Sequence, residues 1–140
     1  MFVKQISVFM ENKAGKLGNI TGLLHKEGID IRAFCITDTP EFGIFRVIVK
    51  EPLRAVDALR NAGMTAQLND VIVAVLPDEI GSFDKLVQPV CDAGIDIKYL
   101  YSFIGEKEAE GRVAICTDNM KDAVGILKNS GCKISAQDEI

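Results

Sequence analysis

Residues 26–34 read KEGIDIRAF and residues 92–100 read DAGIDIKYL. They share Gly-Ile-Asp-Ile at an offset of 66 positions, and Arg32 in the first stretch stands where Lys98 stands in the second. Gly15 and Gly81 keep the same offset, while Gly63 and Gly131 lie 68 apart. Self-similarity at a fixed period marks one structural unit used twice, here with a small insertion in the second copy.

Working outward from these stretches gives the same order of periodicities in each copy. ISVFM runs apolar like a strand, and Leu17, Ile20, Leu23 and Leu24 form one helical stripe that Gly28 stops. IDIRAFCIT and GIFRVIVK follow, two strand-like runs joined by DTPEFG, a polar stretch suited to a hairpin. Pro52 opens a second stripe of Leu53, Val56 and Leu59, Gly63 closes it, and TAQL makes a short last strand. Copy two repeats the series with VIVAVL, a helix from Ser82 to about Ala93, IDIKYLYSFI, GRVAICT, a helix with Asp118 as N-cap, and KISA. Pro89 falls inside the first of these helices, where it removes a backbone donor and is expected to bend the last turn. The unit is βαββαβ, an antiparallel sheet packed on helices, and the expected domains are 1–69 and 70–140. No Gly/Ser linker separates them, since LNDVIV leads directly from one to the next.

The composition narrows the function. The 140 residues, 48% hydrophobic, suffice for two small abutting domains. A formal net charge of −4 offers no positive excess for a phosphate backbone. No apolar run approaches the roughly 20 residues of a membrane span. The opening MFVKQISVFMENK lacks a signal peptide's apolar stretch and cleavage site, so a soluble cytoplasmic protein is expected. Cys35, Cys91, Cys116 and Cys132 form no C-x-x-C pair and sit in apolar sequence, which reads as buried free thiols and calls for no metal or cofactor. His25, the only histidine, lies in the polar end of a helical pattern and reads as a solvated residue.

The run ENKAGKLGNI at 11–20 places Gly15 at a strand-to-helix turn. Followed by Gly-Ile-Asp-Ile at the second strand, it resembles the ACT domain, a ferredoxin-like ligand-binding module that regulates amino-acid metabolism. The family's first loop reads Asn/Asp-Arg/Lys-Pro-Gly-x-Leu, and its second strand opens with an apolar-Asn/Asp-apolar triplet. Copy one supplies Asn12-Lys13-Ala14-Gly15-Lys16-Leu17 and Ile29-Asp30-Ile31, and copy two supplies Asp78-Glu79-Ile80-Gly81-Ser82-Phe83 and Ile95-Asp96-Ile97. Both copies depart from the family proline, and copy two replaces the basic residue with Glu79. The resemblance spans almost the whole chain and implies a tandem pair of ACT-like domains.

In physical terms, Gly15 permits a sharp turn and close approach of a ligand. The first helical turn beyond it favours an anion such as an α-carboxylate, and Asn12 offers both a donor and an acceptor. The resemblance implies that Asp30, from a neighbouring unit, meets an α-ammonium group. The candidate ligand-binding residues are therefore Met10, Asn12, Ala14, Gly15, Lys16, Leu17, Gly18, Asp30 and Ile31. Their weaker equivalents are Asp78, Gly81, Ser82, Phe83 and Asp96. The plainer readings stay open beside these: a glycine that only turns the chain, Leu17 as a core residue, and Asp30 and Asp96 as solvated residues between isoleucines.

Other functions fit less well. An RNA-recognition motif shares the βαββαβ order, but GRVAICTD in copy two and the acidic charge oppose it. A strand precedes Gly15-Lys16-Leu17-Gly18, whereas a KH-type loop joins two helices, and the P-loop pattern is absent. No base-and-nucleophile motif accompanies His25. The expectation is a non-catalytic, allosteric amino-acid sensor forming a homodimer, with a separate metabolic enzyme or regulator as partner; the alternative is a protein-interaction module with a vestigial pocket.

Overall fold

The computed structural model describes residues 1–11, 13–38, 41–105 and 110–140. The chain divides into two compact units, Lys4–Asn69 and Asp70–Ile140, with Met1–Val3 clustering with the second. In the first, β1 (Val3–Glu11), α1 (Lys16–Lys26), β2 (Ile31–Asp38), β3 (Phe42–Val49) and α2 (Pro52–Asn61) lead into β4 (Thr65–Pro77). The strands lie in the order β2-β3-β1-β4. In the second, β4 continues into α3 (Ser82–Asp92), β5 (Ile97–Ile104), β6 (Glu110–Thr117), α4 (Met120–Asn129) and β7 (Ile134–Ser135), in the order β7-β4-β6-β5. Each is a ferredoxin-like βαββαβ unit, with antiparallel pairing of β1 to β3, β2 to β3, β4 to β6 and β5 to β6.

The repeated Gly-Ile-Asp-Ile does the same work in both units. Gly28 (φ 69°) and Gly94 (φ 73°) adopt the left-handed conformation that side chains disfavour. Their N–H groups donate to the carbonyls of His25 and Cys91 at 3.0 Å. The following Ile29 and Ile95 donate to Leu24 at 2.9 Å and Val90 at 3.2 Å, closing the helix with a Schellman-like turn. The Asp30 carbonyl then accepts from Lys50, and that of Asp96 from Asp118, which ties the entering strand to the end of its neighbour. One residue later both strands bulge, between Ile31 and Ala33 and between Ile97 and Tyr99.

Alternation on β1 and β3 sends Ile6, Val8, Phe45, Val47 and Val49 against Ile20 and Leu24 of α1 and Val56 and Leu59 of α2. The second core joins Ile72, Ala74, Val113 and Ile115 to Leu86, Val90, Val124 and Leu127.

Several local expectations are corrected. TAQL and VIVAVL belong to one thirteen-residue strand, β4. Asn69 and Asp70 do not turn it: the Asn69 carboxamide oxygen accepts from Ser7 Oγ at 2.8 Å and from Gln5 Nε2 at 3.2 Å, so its side chain is held by β1. The N-cap of α4 is Asn119, whose Oδ1 accepts from the Asp122 N–H at 3.2 Å, while Asp118 pairs with Lys98 at 3.5 Å. Leu17 and Leu53 are exposed because their helices turn them past the sheet. The cysteines are free, but Cys91 is exposed on α3 and the other three are only half-buried, each near the edge of its element. Pro89 lies within α3, which continues to Asp92.

These backbone roles separate the glycines. Gly22 lies within α1, where an added Cβ meets open space, so Gly22→Ala is expected to raise stability by about 0.5–1 kcal/mol. Gly28→Ala, at positive φ, is expected to lower it by about 1–2 kcal/mol. Urea denaturation of both variants checks the opposite signs.

Candidate functional site

In each unit the first strand passes into the first helix through the same turn. In copy one the Glu11 carbonyl accepts from the Lys13 N–H at 2.8 Å, Lys13 from Lys16 at 3.3 Å, and Gly15 from Asn19 at 3.0 Å. In copy two Pro77 accepts from Glu79 at 2.9 Å, Glu79 from Ser82 at 3.2 Å, and Gly81 from Lys85 at 3.0 Å. Gly15 (φ 88°) and Gly81 (φ 86°) are the N-caps, and no side chain caps either helix. Ala14 and Ile80, in place of the family proline, leave this bonding unchanged. The turn is set by the left-handed glycine, and the helix start faces outward with its dipole unopposed by a capping oxygen.

Asn12 lies outside the described residues. Ala14, Gly15, Lys16, Leu17 and Gly18 are exposed, and Met10 is half-buried against the first core. Met10 and Lys16 meet in a hollow of about 330 Å³ with Glu11, Asn19 and the Ala62–Thr65 turn. Leu17 and Ile31 meet in a second, almost wholly apolar hollow of about 330 Å³, with Thr21, Phe34, Ile36 and Phe45. Asp30 is exposed, 3.6 Å from Arg32, and lines neither. The copy-one candidates thus divide between two hollows.

Copy two gathers its candidates more closely. Asp78, Gly81, Ser82 and Phe83 line one cavity of about 580 Å³ with Leu76, Ser102, Ile104 and Glu110. Asp96 is outside it, exposed at the far end of β5. The residues that the sequence reading missed are the helix-side members of the outer strands: Phe34, Ile36 and Phe45 in copy one, and Ser102 and Ile104 in copy two. Their signal was present in IRAFCIT, apolar at both alternating sets of positions, as expected of a strand that offers apolar surface on both faces.

The charges differ between copies. The hydrogen bond from Lys13, 2.8 Å away, together with the charges of Lys13 and Lys16, holds the Glu11 carboxyl below its ordinary range, and Glu11 in turn raises Lys13. At the equivalent positions of copy two stand Pro77 and Glu79, with Asp78 between them. Burial raises the Cys132 thiol. Among the described residues, no group of three or more His, Cys, Asp or Glu side chains is placed to hold a metal ion.

Two ferredoxin-like units with matching glycine turns at their first helices define a tandem regulatory-domain architecture. A family model described as an ACT domain pair matches residues 1–136, and the chain belongs to that family. A crystal structure of a protein from Bacteroides thetaiotaomicron is 33% identical, covering 99% of this chain and 95% of that one, with a TM-score of 0.91. The ligand-free regulatory subunit of aspartate kinase from Thermus thermophilus is 18% identical, covers 91% of each chain and has a TM-score of 0.65. The Thermus flavus counterpart is 16% identical, covers 91% of this chain and 92% of that one, and has a TM-score of 0.63. The Thermus structures share the fold with this chain. No curated protein matches it.

The Glu11–Lys13 pair has a readable signature. Because the folded Glu11 carboxyl is the stronger acid, any stabilisation from the pair is in place above the ordinary glutamate range and fades as pH falls through the folded value. Side-chain NMR titration is expected to show a depressed Glu11 midpoint that moves back up in Lys13→Ala.

Proposed function

We propose that the protein is a non-catalytic, cytoplasmic sensor whose first unit binds a free amino acid, with the Gly15 turn taking the α-carboxylate. The observation that carries this reading is the uncapped start of α1 behind a left-handed glycine, a geometry that leaves first-turn amides and the helix dipole directed at an anion. Lys13 and Lys16 add positive charge there, whereas Asp78 and Glu79 oppose a carboxylate at the second turn. Asn12 enters by its place in the sequence, between Glu11 and Lys13, as donor and acceptor for a zwitterion. Asp30, exposed and away from its own unit's hollows, fits a role toward a ligand held by another unit.

The fold shared with aspartate kinase regulatory subunits supports a regulatory rather than a catalytic role. His25, exposed on α1, is far from the chemistry of a buried base. No helix among the described residues is long and apolar enough to cross a membrane. Output passes through assembly as a homodimer or to a separate metabolic enzyme or regulator. A second reading, a protein-interaction module, draws support from the exposed Phe34 and Ile36 beside the apolar hollow.

A thermal-shift screen against the common amino acids tests the first reading. A ligand at a hundredfold excess over its Kd adds about 2.7 kcal/mol, a shift of a few degrees. Calorimetry on Asn12→Ala is expected to show a loss of about 1.5–3 kcal/mol in affinity, with little change for Asp78→Ala. Equal losses place ligand at both turns. No loss in Asn12→Ala removes the proposed role of the loop, and silence with every amino acid in the unmutated protein leaves the interaction module standing.

A further inference from the structure

The exposed large apolar side chains of the described residues gather at corresponding places in the two units. In copy one Leu17 of α1 stands beside Phe34 and Ile36 of β2, the three lining the apolar hollow; Phe34 is 69% exposed. In copy two Phe83, which occupies the Leu17 position 66 residues on, stands with Ile104 of β5 on the 580 Å³ cavity, and Ile80 projects from the preceding turn. Ile104 is 84% exposed. Surface of this kind is normally covered by a partner.

The rims carry opposite charge. Lys13 and Lys16 flank the copy-one face, with Glu11 engaged by Lys13 at 2.8 Å. Asp78, Glu79 and Glu110 line the copy-two cavity, with Asp84 in the first turn of α3, partly offset by Lys85. Contact between two copy-two faces would set these carboxylates against each other, and contact between two copy-one faces would oppose the two lysines. Apposing unlike faces joins the apolar surfaces and pairs the charges.

We propose that the occupant of each face is a second copy of this chain, with the Leu17–Phe34–Ile36 face of one protomer seated on the Phe83–Ile104 face of another. This rests on the homodimer reading above and specifies its surfaces. Such a contact is heterologous, so it closes when each protomer gives one face and receives the other, and otherwise extends into a chain.

Two double variants test the pairing without any ligand, so the outcome is independent of amino-acid binding. Lys13→Glu/Lys16→Glu makes both faces acidic, and Asp78→Lys/Glu79→Lys makes both basic. All four positions are exposed, and circular dichroism verifies that each variant is folded. Sedimentation equilibrium is expected to show each variant alone weakened at least ~tenfold relative to the parent chain, because like charges meet. An equimolar mixture is expected to recover association, since both contacts of a mixed dimer are then complementary. Undiminished association of the lysine-containing Asp78→Lys/Glu79→Lys variant would overturn the proposal in favour of copy-one faces pairing together. Undiminished association of Lys13→Glu/Lys16→Glu would overturn it in favour of copy-two faces. A parent chain that stays monomeric across the concentration range would overturn it together with the homodimer, leaving the amino-acid reading to the thermal-shift screen.

Discussion

The glycine that ends the first helix of each unit is the constraint from which the rest follows. At positive φ, Gly28 and Gly94 reverse the chain tightly enough for the next residue to reach back to a helix carbonyl while its side chain enters or borders the core. The aspartate after it then has its backbone committed to the neighbouring strand. Helix end, core entry and sheet edge are thereby fixed within four residues, and any larger residue at the glycine strains all three. The motif recurs because the geometry recurs, whatever either copy binds.

Much of the architecture was legible because it rests on local chemistry. The βαββαβ order followed from the 3.6- and 2-residue periodicities, from Pro52 at a helix start and from glycines at helix ends. The Asp118 assignment failed because Asp and Asn are comparable caps. A tertiary pair with Lys98 engages Asp118 and leaves Asn119 for the helix, a choice invisible in the sequence. β4 was divided because Asn-Asp reads as a turn, whereas a partner on a strand more than sixty positions away holds Asn69 in the ladder.

The site was legible in its turn and not in its walls. Gly15 and Gly81 announced a bend that needs positive φ, and the structure gives the two loops matching hydrogen bonds. Which side chains line the adjoining hollows depends on how far each helix reaches across its outer strands, and no local pattern encodes that. Leu17 illustrates this: its spacing matches the core stripe of α1, yet it lies at the helix's uncovered start. The same turn therefore borders apolar surface in one unit and a carboxylate-rich cavity in the other, so duplication preserved the backbone while the surroundings diverged.

The unbroken β4 imposes a parity rule on the chain. Ala66 belongs to the first core and Ile72 and Ala74 to the second, all at even-numbered positions. Successive side chains of a strand point to opposite faces. A single residue inserted between Asn69 and Asp70 without a bulge would reverse the facing of every position on one side of it, exchanging buried for outward side chains in an otherwise unaltered domain. Two inserted residues would keep the phase. The junction between the repeats thus works as a reading frame of period two, and length changes during divergence are tolerated there in pairs or diverted to the helix-flanking loops, where no such phase is kept.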